Sequence, residues 1–157
     1  MARIKTDIET FARIKVVGVG GGGGNAVTRM FNAQIKGVDF IAINTDAQDL
    51  HNAKANIKIH IGKNLTRGLG AGMNPDIGKQ AAEENRDEIA DALKGADLVF
   101  ITCGLGGGTG SGSSPIIADV AHDIGALAVA VVTKPFSFEG KKRMSIAEEA
   151  ILALRDR

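Results

Sequence analysis

The stretch IKVVGVGGGGGNAVTRMF, residues 14–31, carries three pieces of structure in one short run. Ile14 to Val19 is apolar, rich in valine and of strand length, while Ala26, Val27, Met30 and Phe31 recur at the spacing that places them on one helix face. Between them lie Gly18 and Gly20 to Gly24, so a strand runs through glycine directly into a helix, the opening of a βαβ unit. Glycine turns the backbone with positive φ and lets an anion reach main-chain N–H groups with no Cβ in the way. The helix N-terminus behind it adds about half a positive charge. A tight turn needs one or two glycines; six between Gly18 and Gly24 exceed that need, and each costs conformational entropy.

Outward from this stretch the pattern repeats. Apolar runs of strand length occur at Phe40 to Ile43, Ile57 to Ile61, Leu98 to Ile101 and Ala126 to Val132, most without polar alternation, as strands buried on both faces of a parallel sheet read. Helical period separates them, with Ile116, Ile117, Val120, Ala121 and Ile124 on one stripe. Asn74 before Pro75 and Ser114 before Pro115 each place a capping side chain ahead of a proline at the first helical position, and Gly95 and Gly125 read as stops. Lys141 to Arg157 reads as an amphipathic helix with Met144, Ala147, Ile151 and Leu154 on its apolar stripe, to be covered by this sheet or by a part outside these residues. The fold class expected is α/β: a doubly wound, mostly parallel, Rossmann-like sheet with helices on both faces. Residues 1–13 read as an N-terminal extension and 14–157 as one domain.

Composition narrows the function. At 157 residues the chain can bury roughly 68–70% of its unfolded surface, enough for one core. No apolar run approaches the ~18 residues of a membrane span, and the opening MARIKTDIETF lacks a signal peptide's apolar segment, so the expected setting is cytoplasmic with no direct membrane insertion. One cysteine, Cys103, excludes an internal disulfide and a zinc cluster. A net charge of +1 with no basic block argues against nucleic acid as a partner. His51, His60 and His122 have no metal-ligand spacing, and Glu83 to Glu88 reads as a solvated helix face. The 21 glycines stand out against a usual usage of about 7%, and twelve of them fall in two clusters.

The first cluster also satisfies G-x-G-x-x-G through Gly18, Gly20 and Gly23, with Asp46 available near the end of the second strand, which keeps a dinucleotide-binding module open. A Walker A pattern is absent from the sequence. The second cluster, GLGGGTGSG at residues 104–112, follows the fourth strand and forms a second anion cradle at the same sheet edge, where Thr109 offers a hydroxyl. A dinucleotide fold has no use for it. Two cradles suit a polyphosphate gripped along its length.

These residues resemble FtsZ, the cell-division GTPase related to tubulin. Gly106 to Gly112 looks like the tubulin/FtsZ signature loop, and the resemblance runs from about Ile14 to Ala153 through GVGGGGGNAV, FIAINTDAQ, IGKNLTRGLGAGMNPDIGKQAAEE and VVTKPFSFEGKKRM in family order. It implies GTP or GDP as ligand, with Mg2+ accompanying GTP and no metal ligand assigned. Gly21, Gly22, Gly23, Gly24 and Asn25 would hold the α- and β-phosphates, while Gly107, Gly108, Thr109 and Gly110 would wrap the phosphates from the other side; Gly20 and Gly106 count among the ligand-binding residues as well. Gly70, Ala71 and Gly72 resemble the loop that senses the γ-phosphate; residues alone leave it open between an anion-compatible turn and a surface loop. Asn44 and Asp46 resemble positions lining the phosphate and metal region. Glu139 and Arg143 match ribose and base-edge contacts, where spacing alone would suggest an i, i+4 surface ion pair.

The family continues where this sequence stops, with a further strand, a central helix, a loop of acidic residues and a second domain. The resemblance implies that subunits stack head to tail and that the acidic loop of one completes the site of its neighbour, so these residues include no catalytic group and should barely hydrolyse GTP alone. It also implies a filament at the division site, with membrane-tethering and division proteins reached through other regions. A tubulin-like paralogue with another cytoskeletal role, and a structural domain whose glycine loops bind nothing, are the remaining alternatives.

Overall fold

The computed structural model describes residues 11–157. In chain order these form β1 (Ile14–Val19), α1 (Gly20–Asn32), β2 (Val38–Asn44), α2 (Ala47–Asn52), β3 (Ile57–His60), the single turn α3 (Lys63–Thr66), α4 (Pro75–Glu84), α5 (Arg86–Leu93), β4 (Leu98–Gly104), α6 (Thr109–Asp123), β5 (Leu127–Thr133), a 3-10 turn (Ser137–Glu139) and α7 (Lys141–Arg155). All five strands pair in parallel, in the order β3-β2-β1-β4-β5. The expected α/β class and its five strands are therefore present. The N-terminal extension lies mostly outside the described residues; within it, Arg13 donates its backbone N–H to Asp97 at 2.8 Å.

The pleat divides the apolar side chains between the two faces of the sheet. Val17, Val19, Ile41, Ile43, Val99 and Ile101 share one cluster with Ile89 and Leu93 of α5, Ile116, Ile117 and Val120 of α6, and Ala147 and Ala150 of α7. Their neighbours along the strands, Val16 and Phe40, pack with Val27 of α1, and Ala42 packs with Leu50 of α2 and with Ala53. Covering on both faces is why these strands show no polar alternation. β5 departs from that pattern: it is an edge strand, and Leu127 and Val131 are exposed. The last helix covers this sheet through α6, with Ile151 and Leu154 against the main core.

Two helix contacts are closer than any side chain permits. A Cβ on Gly23 would fall 2.4 Å from the Thr102 carbonyl oxygen, and one on Gly18 would fall 2.2 Å from the Gly23 oxygen, so α1 lies with bare backbone on β1 and β4. Likewise a Cβ on Gly112 would sit 2.0 Å from the Pro75 oxygen, and one on Gly78 2.3 Å from the Gly108 oxygen, which presses the start of α4 onto the start of α6.

The chain ends of the helices follow the expected chemistry with one exception. Asn74 accepts a hydrogen bond from the Asp76 N–H, with Pro75 at the first position, and Gly95 and Gly125 both take φ of +84°. Ser114, however, does not cap a helix. α6 begins at Thr109, where Gly112 donates to the Gly108 carbonyl at 3.0 Å, and Pro115 lies inside it. The Ser114 hydroxyl donates instead to the Cys103 sulfur at 3.1 Å, and Ser113 donates to the Gly78 carbonyl at 2.8 Å. Packing against α4 and β4 extends the helix past the local Ser-Pro signal. Asn85 likewise divides the Glu83 to Glu88 run between α4 and α5.

These contacts separate glycines by role. Gly112→Ala should destabilise the fold by about 1–3 kcal/mol through overpacking. Gly24→Ala, whose Cβ would meet Ala53 at an ordinary 3.8 Å, should leave stability unchanged or raise it by up to ~1 kcal/mol through helix propensity. Urea denaturation midpoints check both; equal midpoints for the two variants would contradict this packing.

Candidate functional site

The connection from β1 through α1 leads to β2 on one side, and the connection from β4 through α6 leads to β5 on the other. The two helices lie on opposite faces, so a crevice opens between the carboxyl ends of β1 and β4, the position where such sheets take ligands. Here it is a cleft of about 520 Å³. Gly20, Gly21 and Gly22 line one wall, Gly107, Gly108, Thr109 and Gly110 the other, and Lys134, Glu139 and Arg143 close the end beyond β5. A smaller hollow of about 210 Å³ adjoins it between α1 and α2, lined by Gly24, Asn25, Asn44 and Asp49, and Gly20 and Gly21 border both spaces.

The walls are backbone. The first N–H groups of any α-helix have no carbonyl one turn back to bond, so the starts of α1 and α6 present unpaired donors. These two starts nearly touch: a Cβ on Gly20, whose φ is +72°, would lie 3.3 Å from the Gly110 nitrogen. Two positive helix ends therefore converge on one cleft. Lys134 and Arg143 add cationic side chains at its far end.

The expected site residues divide between lining and supporting positions. Gly23 supports, since it packs under Thr102. Gly106 (φ +113°) packs under Pro135 and Arg143 and donates its N–H to the Ser111 hydroxyl at 2.9 Å. Gly108 lines the cleft while its N–H donates to the Gly72 carbonyl at 2.8 Å, which ties the loop around Gly70 (φ +85°), buried Ala71 and Gly72 (φ +58°) to the second glycine run. Asn44 is buried, accepts from the Asp46 N–H at 3.2 Å and borders the smaller hollow. Asp46 caps α2 by accepting from the Asp49 N–H at 3.0 Å, and its carboxylate lies 3.7 Å from where a Gly70 side chain would begin. Glu139 and Arg143 both line the cleft but form no ion pair; Gly140 separates their helical turns, and Glu139 accepts from the Phe136 N–H at 2.6 Å.

Some lining residues escape the sequence reading. Thr133 and Lys134 sit at the carboxyl end of β5, where topology alone directs ligands, and Phe136 follows them. Asp49 approaches α1, its carboxylate 3.3 Å from a Gly21 Cβ position. Thr45 bonds Thr109, hydroxyl to hydroxyl, at 2.7 Å, which no spacing could reveal across 64 residues. Among the described residues no group of three His, Cys, Asp or Glu side chains could hold a metal, and no helix is long and apolar enough to cross a membrane.

The GTPase domain of the Tubulin/FtsZ family matches residues 13–157. The chain belongs to the tubulin/FtsZ family. Among solved structures, an empty FtsZ dimer from M. jannaschii is 56% identical and superposes with a TM-score of 0.93 over 95% of this chain and 43% of its own. CetZ1 from Haloferax volcanii, a GDP-bound monomer, is 30% identical with a TM-score of 0.79 over 90% of this chain and 47% of its own. CetZ2 from Haloferax volcanii, a GTPγS-bound protofilament, is 27% identical with a TM-score of 0.81 over 90% and 46%. This tubulin/FtsZ domain thus spans less than half the length of each of these structures.

The end of β4 beside the cleft carries a titration signature. Burial pushes the Cys103 thiol above its ordinary value, and the hydrogen bond from Ser114 offsets this in part. A thiol whose folded pKa exceeds its unfolded one stabilises the fold below the unfolded pKa of about 8.5, and that contribution is lost as pH rises through the folded value. Stability should accordingly decline above about pH 8.5 in wild type, and the decline should be shallower in Cys103→Ala, as read from urea midpoints across pH 7 to 10.

Proposed function

We propose that this domain binds GTP and GDP in the cleft between β1 and β4 and is the nucleotide-bearing half of a subunit that polymerises head to tail in cell division. The observation that carries the reading is the convergence of the α1 and α6 N-termini on one glycine-walled cleft. In this reading the N–H groups of Gly20 to Gly22 face one side of the polyphosphate, and those of Gly107, Thr109 and Gly110 the other, as helix starts and glycine nests bind phosphate. Glu139 and Arg143 lie where a nucleoside attached to that polyphosphate would extend, with Lys134 alongside. The hollow bordered by Asn25 and Asn44 offers amide groups to the same ligand. A Mg2+ arriving with GTP would take most of its ligands from phosphate oxygens and water, as is usual for this ion, and would neutralise charge there.

Phosphoryl transfer depends on positioning and charge stabilisation, and the cleft supplies the phosphate half of both. Activation of water would come from a neighbouring subunit seated over the cleft. The rim suits such contact: Phe136, which lines the cleft, and Phe138 are 69% and 84% exposed, and the two stack with ring centroids 5.3 Å apart. Apolar groups concentrated at a site mouth mark an interaction surface. A head-to-tail contact of that kind repeats into an open filament.

Differential scanning fluorimetry with GTP, GDP, ATP and NAD tests ligand class. Guanine nucleotide at 100 times its Kd should stabilise the chain by about 2.7 kcal/mol, whereas a shift with NAD alone would overturn the assignment. Gly107→Val places a side chain in the cleft, where a Cβ meets only the Gly72 oxygen at 4.0 Å, so the fold should persist. Its nucleotide affinity should fall at least tenfold, about 1.4 kcal/mol, by titration calorimetry.

The filament part has its own test. Added to a whole-length family member with GTP, the chain should cap growth and lower light scattering in proportion to its concentration. Phe138→Glu should abolish capping with nucleotide affinity intact; unchanged capping would place the contact elsewhere.

A further inference from the structure

Thr45 is fully buried immediately beyond β2, and its hydroxyl has one hydrogen-bond partner among the described residues, the Thr109 hydroxyl at 2.7 Å. The rest of Thr45 is pinned. Its carbonyl accepts from the Thr66 hydroxyl at 3.3 Å and from His60 Nε2 at 3.1 Å, which links it to β3 and α3. Thr109 stands on the first turn of α6 and lines the cleft. One buried hydroxyl therefore reaches from the β2 side of the sheet to a cleft residue on the β4 side.

Resting on the nucleotide-binding reading above, we propose that Thr45 is a positioning residue whose hydroxyl, hydrogen-bonded to Thr109, anchors the Thr109 hydroxyl in the orientation from which its proton reaches phosphate. Each hydroxyl has one proton and two acceptor lone pairs, and only one of the two protons lies between the oxygens. If Thr109 donates to Thr45, it turns only lone pairs to the cleft and repels an anionic oxygen. When Thr45 donates to Thr109, the Thr109 proton is free to reach a phosphate oxygen, and the chain Thr45 to Thr109 to phosphate strengthens along its length. A phosphate, which offers acceptors, selects the second arrangement. Thr45 remains satisfied in either, because its hydroxyl can donate or accept, and a buried hydroxyl without a partner is costly. Valine has the same shape but offers no hydrogen bond, so the Thr109 hydroxyl would lose its anchor and could rotate away from the phosphate.

The test uses this chain, with GTP and GDP binding measured calorimetrically in EDTA, so that phosphate contacts are read without a divalent ion. Thr45→Val should weaken binding of both nucleotides about three- to tenfold, and Thr45→Ser, which restores the hydroxyl, should recover most of the loss. In a Thr109→Val background the same Thr45→Val change should have little further effect, because the hydroxyl it orients is gone. Thermal denaturation of every variant reports folding separately. Equal losses in both backgrounds, or failure of serine to rescue a folded protein, would make Thr45 a packing residue and overturn the proposal. Absence of nucleotide binding by the wild-type chain would overturn the binding reading itself, an outcome distinct from either.

Discussion

Where α1 crosses the sheet, Gly18, Gly23 and the Thr102 carbonyl meet with no room for a single Cβ, and the remaining geometry follows from that contact. It sets the helix directly on β1 and β4, which brings its first turn beside Gly104 and Gly110 on the neighbouring connection. The start of α6 is fixed from the opposite face by an equally close crossing, Gly112 against Pro75. Glycine in a helix interior is normally a loss of roughly 1 kcal/mol against alanine. Here glycine is what allows the two helix termini to come together, an arrangement that larger residues would prevent.

That convergence is electrostatic as well as steric. Two N-terminal turns carry partial positive charge and unpaired N–H groups, and like ends do not attract. Backbone packing holds them together against this mutual repulsion, which is the preorganisation the proposed anion site requires. The same packing gives the supporting residues their work: Ser111 takes the Gly106 N–H, Gly72 takes the Gly108 N–H, and the Thr45 and Thr109 hydroxyls bond each other. The loop carrying Gly70 to Gly72 is thereby tied to the second glycine run.

The exposed features complement the buried ones. Phe136, which lines the cleft, and Phe138, which stacks on it, are exposed, and the outer strand β5 exposes Leu127 and Val131, so apolar surface is present at the cleft and along one sheet edge. The structures this chain matches are each more than twice as long as the part it covers, and a domain within a larger protein commonly has such faces turned to its neighbours.

Strand positions, the parallel class and the two glycine runs were legible in residues alone, because hydrophobic period and glycine's conformational cost are local properties. The FtsZ resemblance was legible for the same reason: its blocks are short and contiguous. Division of the glycines into those that line and those that support was not, since Gly22 and Gly23 are identical in sequence terms and only the β4 carbonyl distinguishes them. The start of α6 was misplaced at Ser114 because local capping preference yields to packing against α4 and β4. Glu139 and Arg143 look like an ion pair at helical spacing, yet Gly140 turns them onto separate elements around one cleft. The Thr45–Thr109 bond belongs wholly to tertiary structure, because parallel pairing brings the ends of β2 and β4 to the same edge of the sheet from distant parts of the chain.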